Sequence, residues 1–334
     1  MAAPMTLQDL LDREAIRECC TAIAAALIAP MRSRCAPRMG LNRNKVGMRL
    51  DLASASGRDV LLGLLEGADV MLKNFKTGTM EKWGLGYAQL SQRFPRLVHC
   101  RVRGFGADGP LGGLAGYDAA VQAMAGIMSV NGEADGEPLR VGLPVVDMVT
   151  GLNAALGALL ALQDRARTGK GQFVETSLHD CGLSLLHPHA ANWFMDGREP
   201  KLTGNAHPNI YPYDAFPTRT EPVFLAVGND RQFVLLCGYL DAGDLAADPA
   251  YARAGDRSRN RVALRQRLIE LMSGLDGPPL AQDLMNIGVP CAPVLSVSSA
   301  LQHPHTEHRE PPRVLRRLIH LRGLSHEQVE QVLT

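Results

Sequence analysis

A chain of 334 residues that is 46% hydrophobic is long enough for two packed domains, which excludes an intrinsically disordered protein. Its 35 Lys and Arg nearly balance 34 Asp and Glu, so no bulk charge calls for nucleic acid or an anionic membrane, and an anionic ligand is met by local groups. Seven scattered cysteines, with no CxxC pair and no metal-ligand cluster, read as reduced thiols in a cytoplasmic protein.

Residues 1–40 differ in texture from the rest of the chain. Leu7 to Leu27 has helical periodicity, and Met31 to Met39 is basic and proline-containing, as in a linker. The apolar run Thr21 to Pro30 comes after Asp9, Asp12, Glu14 and Glu18 instead of a basic region, so it is not read as a signal peptide. Every later apolar stretch is broken by charge or glycine before about 18 to 20 residues, and no membrane span is expected.

From Leu41 onward strand and helix alternate: helix Gly57–Glu66, strand Asp69–Asn74, helix Tyr87–Arg93, strand Leu97–Arg103. That spacing predicts an α/β fold with a doubly wound, mostly parallel, Rossmann-like sheet. Gly104, Gly106 and Gly109 satisfy GxGxxG, but no helix opens directly after Pro110, so a dinucleotide site is not expected. Helices Tyr117–Met128 and Val145–Arg167 come next. Leu152, Leu156, Leu159 and Leu160 form a stripe on the second, expected to pack on the sheet.

The stretch Arg165 to Asp180 is the most informative. Thr168-Gly169-Lys170-Gly171 ends the long helix, and Phe173, Val174 and Thr176 favour a short strand. Ser177-Leu178-His179-Asp180 then has the Ser-x-x-acid spacing of a helix start. Two readings stay open from spacing: the Asp180 carboxylate folds back onto a backbone N–H, or the helix start holds it ionised and outward as a nucleophile. Cys181 beside it has no matched histidine and acid. Thr203 to Thr218, rich in proline, asparagine and aromatics, reads as a crossover into a smaller α+β domain. That domain holds strand Val223–Val227, helices Arg231–Tyr239, Arg257–Met272 and Leu280–Ile287, and the segment Val289–Val297. Two helical patterns, Arg313–His320 and Ser325–Leu333, end the chain.

Six segments, in order between Leu41 and His303, resemble the class III CoA-transferases of CaiB/BaiF type, relatives of the 2-methylacyl-CoA racemases. They are Leu41–Leu52, Ala68–Tyr87, Gly104–Pro110, Gly116–Gly132, Arg167–Asp180 and Gly204–Thr218. The resemblance implies transfer of CoA between carboxylic acids, plausible acceptors being short dicarboxylates such as succinate. Acyl-CoA then serves as substrate, with no permanently bound cofactor and no metal. It implies Asp180 as the nucleophile that forms an aspartyl-CoA thioester, and a homodimer. Family positions contacting CoA carry over to Leu50, Ala53, Asn74, Phe75, Lys76, Lys82, Ala115, Gly116, Tyr117 and Asp118, with Arg43, Lys45 and Arg49 as further cations for phosphate. Ala53 departs from the lysine many relatives place there. For the oxyanion, the backbone amides at the helix start, Asn205 and His207 are the candidates; His207 reads equally well as a structural histidine.

The implied organisation is an atypical N-terminal segment (1–40), a large CoA-binding domain (41–202), a small α+β domain (203–303) and a shortened helical tail (304–334). The first βαβ unit of the family is expected to be missing. Two alternatives remain. A racemase of the same fold uses a His-Asp pair where this chain has Tyr117-Asp118, and tyrosine is far too weak a base near neutrality. A non-catalytic CoA-binding or dimer-forming remnant of a disrupted reading frame is suggested by the two altered ends.

Overall fold

The computed structural model describes residues 48–309, so the expectations for 1–40 and for the two helical patterns after Pro311 lie outside the described residues, as do Arg43 and Lys45. Contacts divide the described chain into two units, 48–129 with 139–198 and 130–138 with 199–309.

In the first unit, Ala55–Leu65 (α1) leads into Val70–Lys73 (β1). Thr79–Lys82 (α2) and Tyr87–Arg93 (α3) cross to Val98–Arg103 (β2). Asp118–Met124 (α4) and Val145–Thr168 (α5) then cross to Phe173–Ser177 (β3), which runs straight into Leu178–Ser184 (α6), succeeded by His189–Asp196 (α7). The three strands are parallel, in the order β1-β2-β3, with Arg101 opposite Glu175 and Arg103 opposite Ser177. This is the α/β class expected from the alternation of elements.

Strand alternation separates two cores, one on each face of the sheet. Cys100 and Val102 face α5, joining Val121, Val146, Ala154 and Ala158. On the other face Met71 packs with Leu65, Met80, Leu85 and Leu90 from α1, α2, α3 and their turns. His99, Arg101 and Arg103 are the odd-numbered residues of β2; the two arginines share a polar layer with Lys73, Glu81 and Glu175.

The leucine stripe of α5 does not face the sheet. The buried residues of this helix are Val146, Thr150, Ala154, Ala158 and Ala161, whereas Leu152 is 70% exposed, Leu156 55% and Leu160 62%. The reason is distance: a Cβ on Gly157 would lie 2.8 Å from Val174 Cγ1, so only a small-residue face lets α5 approach β3 this closely. By length and composition α5 could cross a membrane, with a mean hydropathy of 1.8 over 18 residues. Here it packs along β2 and β3 through its alanine face.

The second unit is built on an antiparallel sheet of Tyr213–Phe216 (β4), Val223–Ala226 (β5) and Cys291–Pro293 (β6). The crossover segment therefore ends in a strand that the proline-rich composition concealed. Helices Asp230–Tyr239 (α8), Gly243–Ala247 (α9), Ala254–Arg259 (α10), Arg261–Met272 (α11) and Gly277–Asn286 (α12) accompany the sheet, and Val297–Leu301 (α13) and Pro304–His308 (α14) come after it. The helix expected over Arg257–Met272 is two helices, because Asn260 Nδ2 turns back to the carbonyls of Ala250 and Asp256 and breaks the run. Phe216, Leu225, Phe233, Leu264, Leu268 and Leu284 form the core. Buried Arg257 ties it together through Asp230 at 2.7 Å and the carbonyls of Tyr211 and Tyr251.

Candidate functional site

In an open parallel sheet the crevice lies beyond the carboxyl ends of the strands. The first unit obeys that rule, with a cavity of about 380 Å³ at the ends of β1 and β2. β1 delivers Asn74, Phe75, Lys76 and Thr77, and β2 delivers Val102, Arg103 and Gly104. The loop before α4 adds Gly113 to Asp118, with Asp147 from α5 and Leu178 from α6 completing the wall.

Two glycines let that loop close on the sheet. A Cβ on Gly104 would lie 2.3 Å from Gly116 N, and one on Gly116 would lie 2.7 Å from Gly104 Cα, so neither position accepts a side chain without moving the loop. The GxGxxG pattern is thus a matter of close approach and turns, since Gly106 and Gly109 have φ of 85° and 75° and the next helix starts only at Asp118.

Asp118 fastens the loop to α5. Pro144 at the head of α5 offers no side-chain cap. Asp118 Oδ2 supplies one instead, accepting from the amides of Val146 at 2.9 Å and Asp147 at 3.0 Å, while Oδ1 accepts from Gln122 Nε2 at 2.6 Å. Burial, and secondly the Asp118 charge, push the Asp147 carboxyl up to about 6.

Asp180 is not among the residues that line the cavity; it lies two residues beyond Leu178, which does. Ser177 is extended (φ −117°, ψ 149°) and its Oγ accepts from Asp180 N at 3.1 Å, so half of the capping box forms. The returning half does not. Among the described residues no hydrogen bond reaches the Asp180 carboxylate, which is 81% exposed and 4.0 Å from His179 Nδ1. The cap is Ser177, and the acid points outward. The amides expected to serve the oxyanion are partly engaged: Asp180 N bonds Ser177 Oγ, and His179 N donates to Gly104 O at 3.0 Å.

The cavity gathers Asn74, Phe75, Lys76, Ala115, Gly116, Tyr117 and Asp118 from the sequence-based set. Phe75 stands edge-on to Trp83 with ring centres 6.0 Å apart, and Tyr117 is 67% exposed. Leu50, Ala53 and Lys82 do not line it: Leu50 and Ala53 precede α1, and Lys82 is exposed at the end of α2. Asn205 and His207 belong to the second unit. His207 Nδ1 accepts from the amides of Asn209 at 3.1 Å and Ile210 at 3.2 Å, and burial, with Arg261 nearby, lowers its pKa, all of which describes a ring that holds its own turn. Sequence reasoning missed Thr77, Arg103, Asp147 and Leu178. The end-of-strand position of Arg103 was the available signal; the place of Asp147 depends on how α5 docks.

Fold and site thus define an α/β architecture whose crevice brings an amide, an aromatic ring and cations to the strand ends beside an outward carboxylate. The model of CoA-transferase family III matches residues 28–318. The chain is 38% identical over 275 residues to a succinyl-CoA:mesaconate CoA-transferase of Haloarcula hispanica, covering 81% of this chain and 68% of that one. It is 36% identical over 268 residues to a succinate–glutarate CoA-transferase of Agrobacterium fabrum, covering 80% and 67%. A crystal structure of a CAIB/BAIF family protein from Brucella suis aligns with a TM-score of 0.68 at 39% identity, over 78% of this chain and 69% of that one. The chain belongs to CoA-transferase family III, and it is an enzyme of the CoA-transferase class.

Proposed function

We propose that the protein moves CoA between short dicarboxylic acids, with Asp180 as the nucleophile. The observation that carries this reading is the half-formed cap, which fixes the Asp180 backbone through Ser177 and leaves the carboxylate outward, two residues beyond the cavity wall residue Leu178. The names of the two relatives, which refer to succinate, mesaconate and glutarate or their CoA esters, support the acid class.

The steps balance without water or electron transfer. An Asp180 oxygen attacks the thioester carbon of the donor, the carbon–sulfur bond breaks, and CoA leaves as thiolate from a mixed anhydride. The thiolate attacks the Asp180 carbonyl carbon, releasing the donor acid as its carboxylate and leaving an aspartyl-CoA thioester. The acceptor carboxylate attacks that thioester and expels the thiolate. The thiolate then attacks the acceptor's acyl carbon, freeing Asp180. Each activated acyl is exchanged for another of similar energy. Asn74 and Phe75 serve the CoA chain by hydrogen bonding and apolar contact, and Lys76 offsets phosphate charge.

The enzyme works as a homodimer in this reading, with the exposed Met148, Leu152, Leu156 and Leu160 face of α5 as an apolar surface for a second copy. The test of the activity is CoA transfer from succinyl-CoA to a panel of mono- and dicarboxylic acids. Transfer to dicarboxylates that falls by at least about 10³-fold in Asp180→Ala is the expected result, on the scale of losing a nucleophile. Undiminished transfer in that variant rules the assignment out.

A further inference from the structure

The transfer steps leave one largely buried cation of the cavity wall unused, Arg103. Its side chain is 5% exposed, yet it lines the cavity. Nη1 donates to Thr77 Oγ1, whereas Nε, 3.2 Å from Glu175 Oε1, is buried without a hydrogen-bond partner among the described residues. Among the described residues Nη2 makes no hydrogen bond. Glu175 is shared: Arg101 takes both of its oxygens, at 3.1 and 2.6 Å. Lys73 is 3.4 Å from Glu81, so the polar layer holds three cations against two carboxylates. The acids of the cavity do not restore the balance near Arg103. Asp118 is taken up by the amides at the head of α5 and by Gln122, and Asp147 lies beside Asp118.

A largely buried guanidinium with an open edge favours an anion, and a carboxylate fits its planar fork. The strand register sets Arg103 beside Ser177, which caps the turn carrying Asp180, and the carbonyl of the next residue, Gly104, accepts from His179 N. One strand spacing and one helical turn put the Arg103 and Asp180 backbones on the order of 10 Å apart. An arginine side chain and a short dicarboxylic acyl group together span that gap.

We propose that Arg103 is a specificity-determining residue that receives the distal carboxylate of the dicarboxylic acyl group, held in position by Thr77 and Glu175. This deepens the dicarboxylate reading and rests on it. A phosphate of CoA shares the same anionic chemistry, and the experiment separates the two. Binding of succinyl-CoA and butyryl-CoA, which differ by a carboxylate in place of a methyl group, is measured calorimetrically on the full chain, on Arg103→Gln and on Arg103→Lys. The wild-type chain is expected to favour succinyl-CoA by about tenfold or more, as for a charged hydrogen bond. Arg103→Gln removes the preference while leaving butyryl-CoA binding within about threefold, and Arg103→Lys keeps part of it. Equal affinity of the wild-type chain for the two esters overturns the proposal with no variant needed. Equal weakening of both by Arg103→Gln also overturns it, and assigns the residue to a CoA phosphate or to the fold. The preference is expected to survive in Asp180→Ala, so a failure of the nucleophile assignment is read separately from a failure of Arg103.

Discussion

His99 lies in the middle of β2, 1% exposed, with both ring nitrogens unpartnered among the described residues and its ring edge-on to Tyr87 and Phe173. Burial, and then the charges of Lys73 and Arg101, lower its pKa to about 4, Glu81 opposing weakly. In the unfolded chain it returns to about 6.5, so between those values the unfolded state binds more protons and stability falls as pH falls. At about 1.4 kcal/mol per unit this amounts to roughly 3 kcal/mol once pH is below 4. Asp147 has the opposite sign. Its carboxyl is raised to about 6, so the folded state binds more protons between about 4 and 6 and gains stability on acidification. His99→Phe, which keeps the ring contacts, is therefore expected to lose much less melting temperature than the wild-type chain between pH 7 and 4.5. Parallel melting profiles for the two proteins contradict this role of His99.

At the scale of the element, α5 shows what periodicity conveys and what it leaves out. Its helical span, its glycine stop and the strand after it were legible in the residues: Gly169 closes the helix with φ 74°, and β3 starts at Phe173. Its leucines were legible as one face, but the face against the sheet was not, because periodicity records that apolar residues align and says nothing about how near two backbones come. Gly157, Ala154 and Ala158 set that distance. Gly157→Leu is accordingly expected to destabilise the fold by about 1–3 kcal/mol through overpacking against Val174. Leu156→Ala, on the exposed face, is expected to change the monomer by no more than about 0.5 kcal/mol. Urea unfolding of both variants at protein concentrations where the chain is monomeric decides the point, and a larger loss for Leu156→Ala there reverses the assignment of faces.

At the scale of the whole molecule, the exposed face of α5 is too apolar and too long to be ordinary surface, and a second copy is the occupant proposed for it. Light scattering after size exclusion is expected to give a dimer for the wild-type chain and a monomer for Leu152→Glu with Leu156→Glu. A wild-type monomer, or a double variant that stays dimeric, removes α5 from the interface. The site was legible to a similar degree as the fold. Asn74, Phe75, Tyr117 and Asp180 came from the resemblance to a family and not from any local pattern, and the first three line the cavity. Asp118 was found as a cavity residue, but its capping of α5 joins residues 28 and 29 positions apart and no local pattern encodes it. Arg103 was passed over for the same reason: its partners Thr77 and Glu175 come from beyond β1 and from β3, and only the register brings them together.

Covalent attachment of CoA to Asp180 during transfer is the step on which the proposed function stands. The full chain is incubated with succinyl-CoA without an acceptor, quenched in acid, and analysed by intact mass and peptide mapping. The expected result is a mass gain of one CoA less one water on the peptide carrying Asp180, discharged by an added dicarboxylic acid and absent from Asp180→Ala. An adduct on another residue, or transfer that persists in Asp180→Ala with no adduct there, contradicts it.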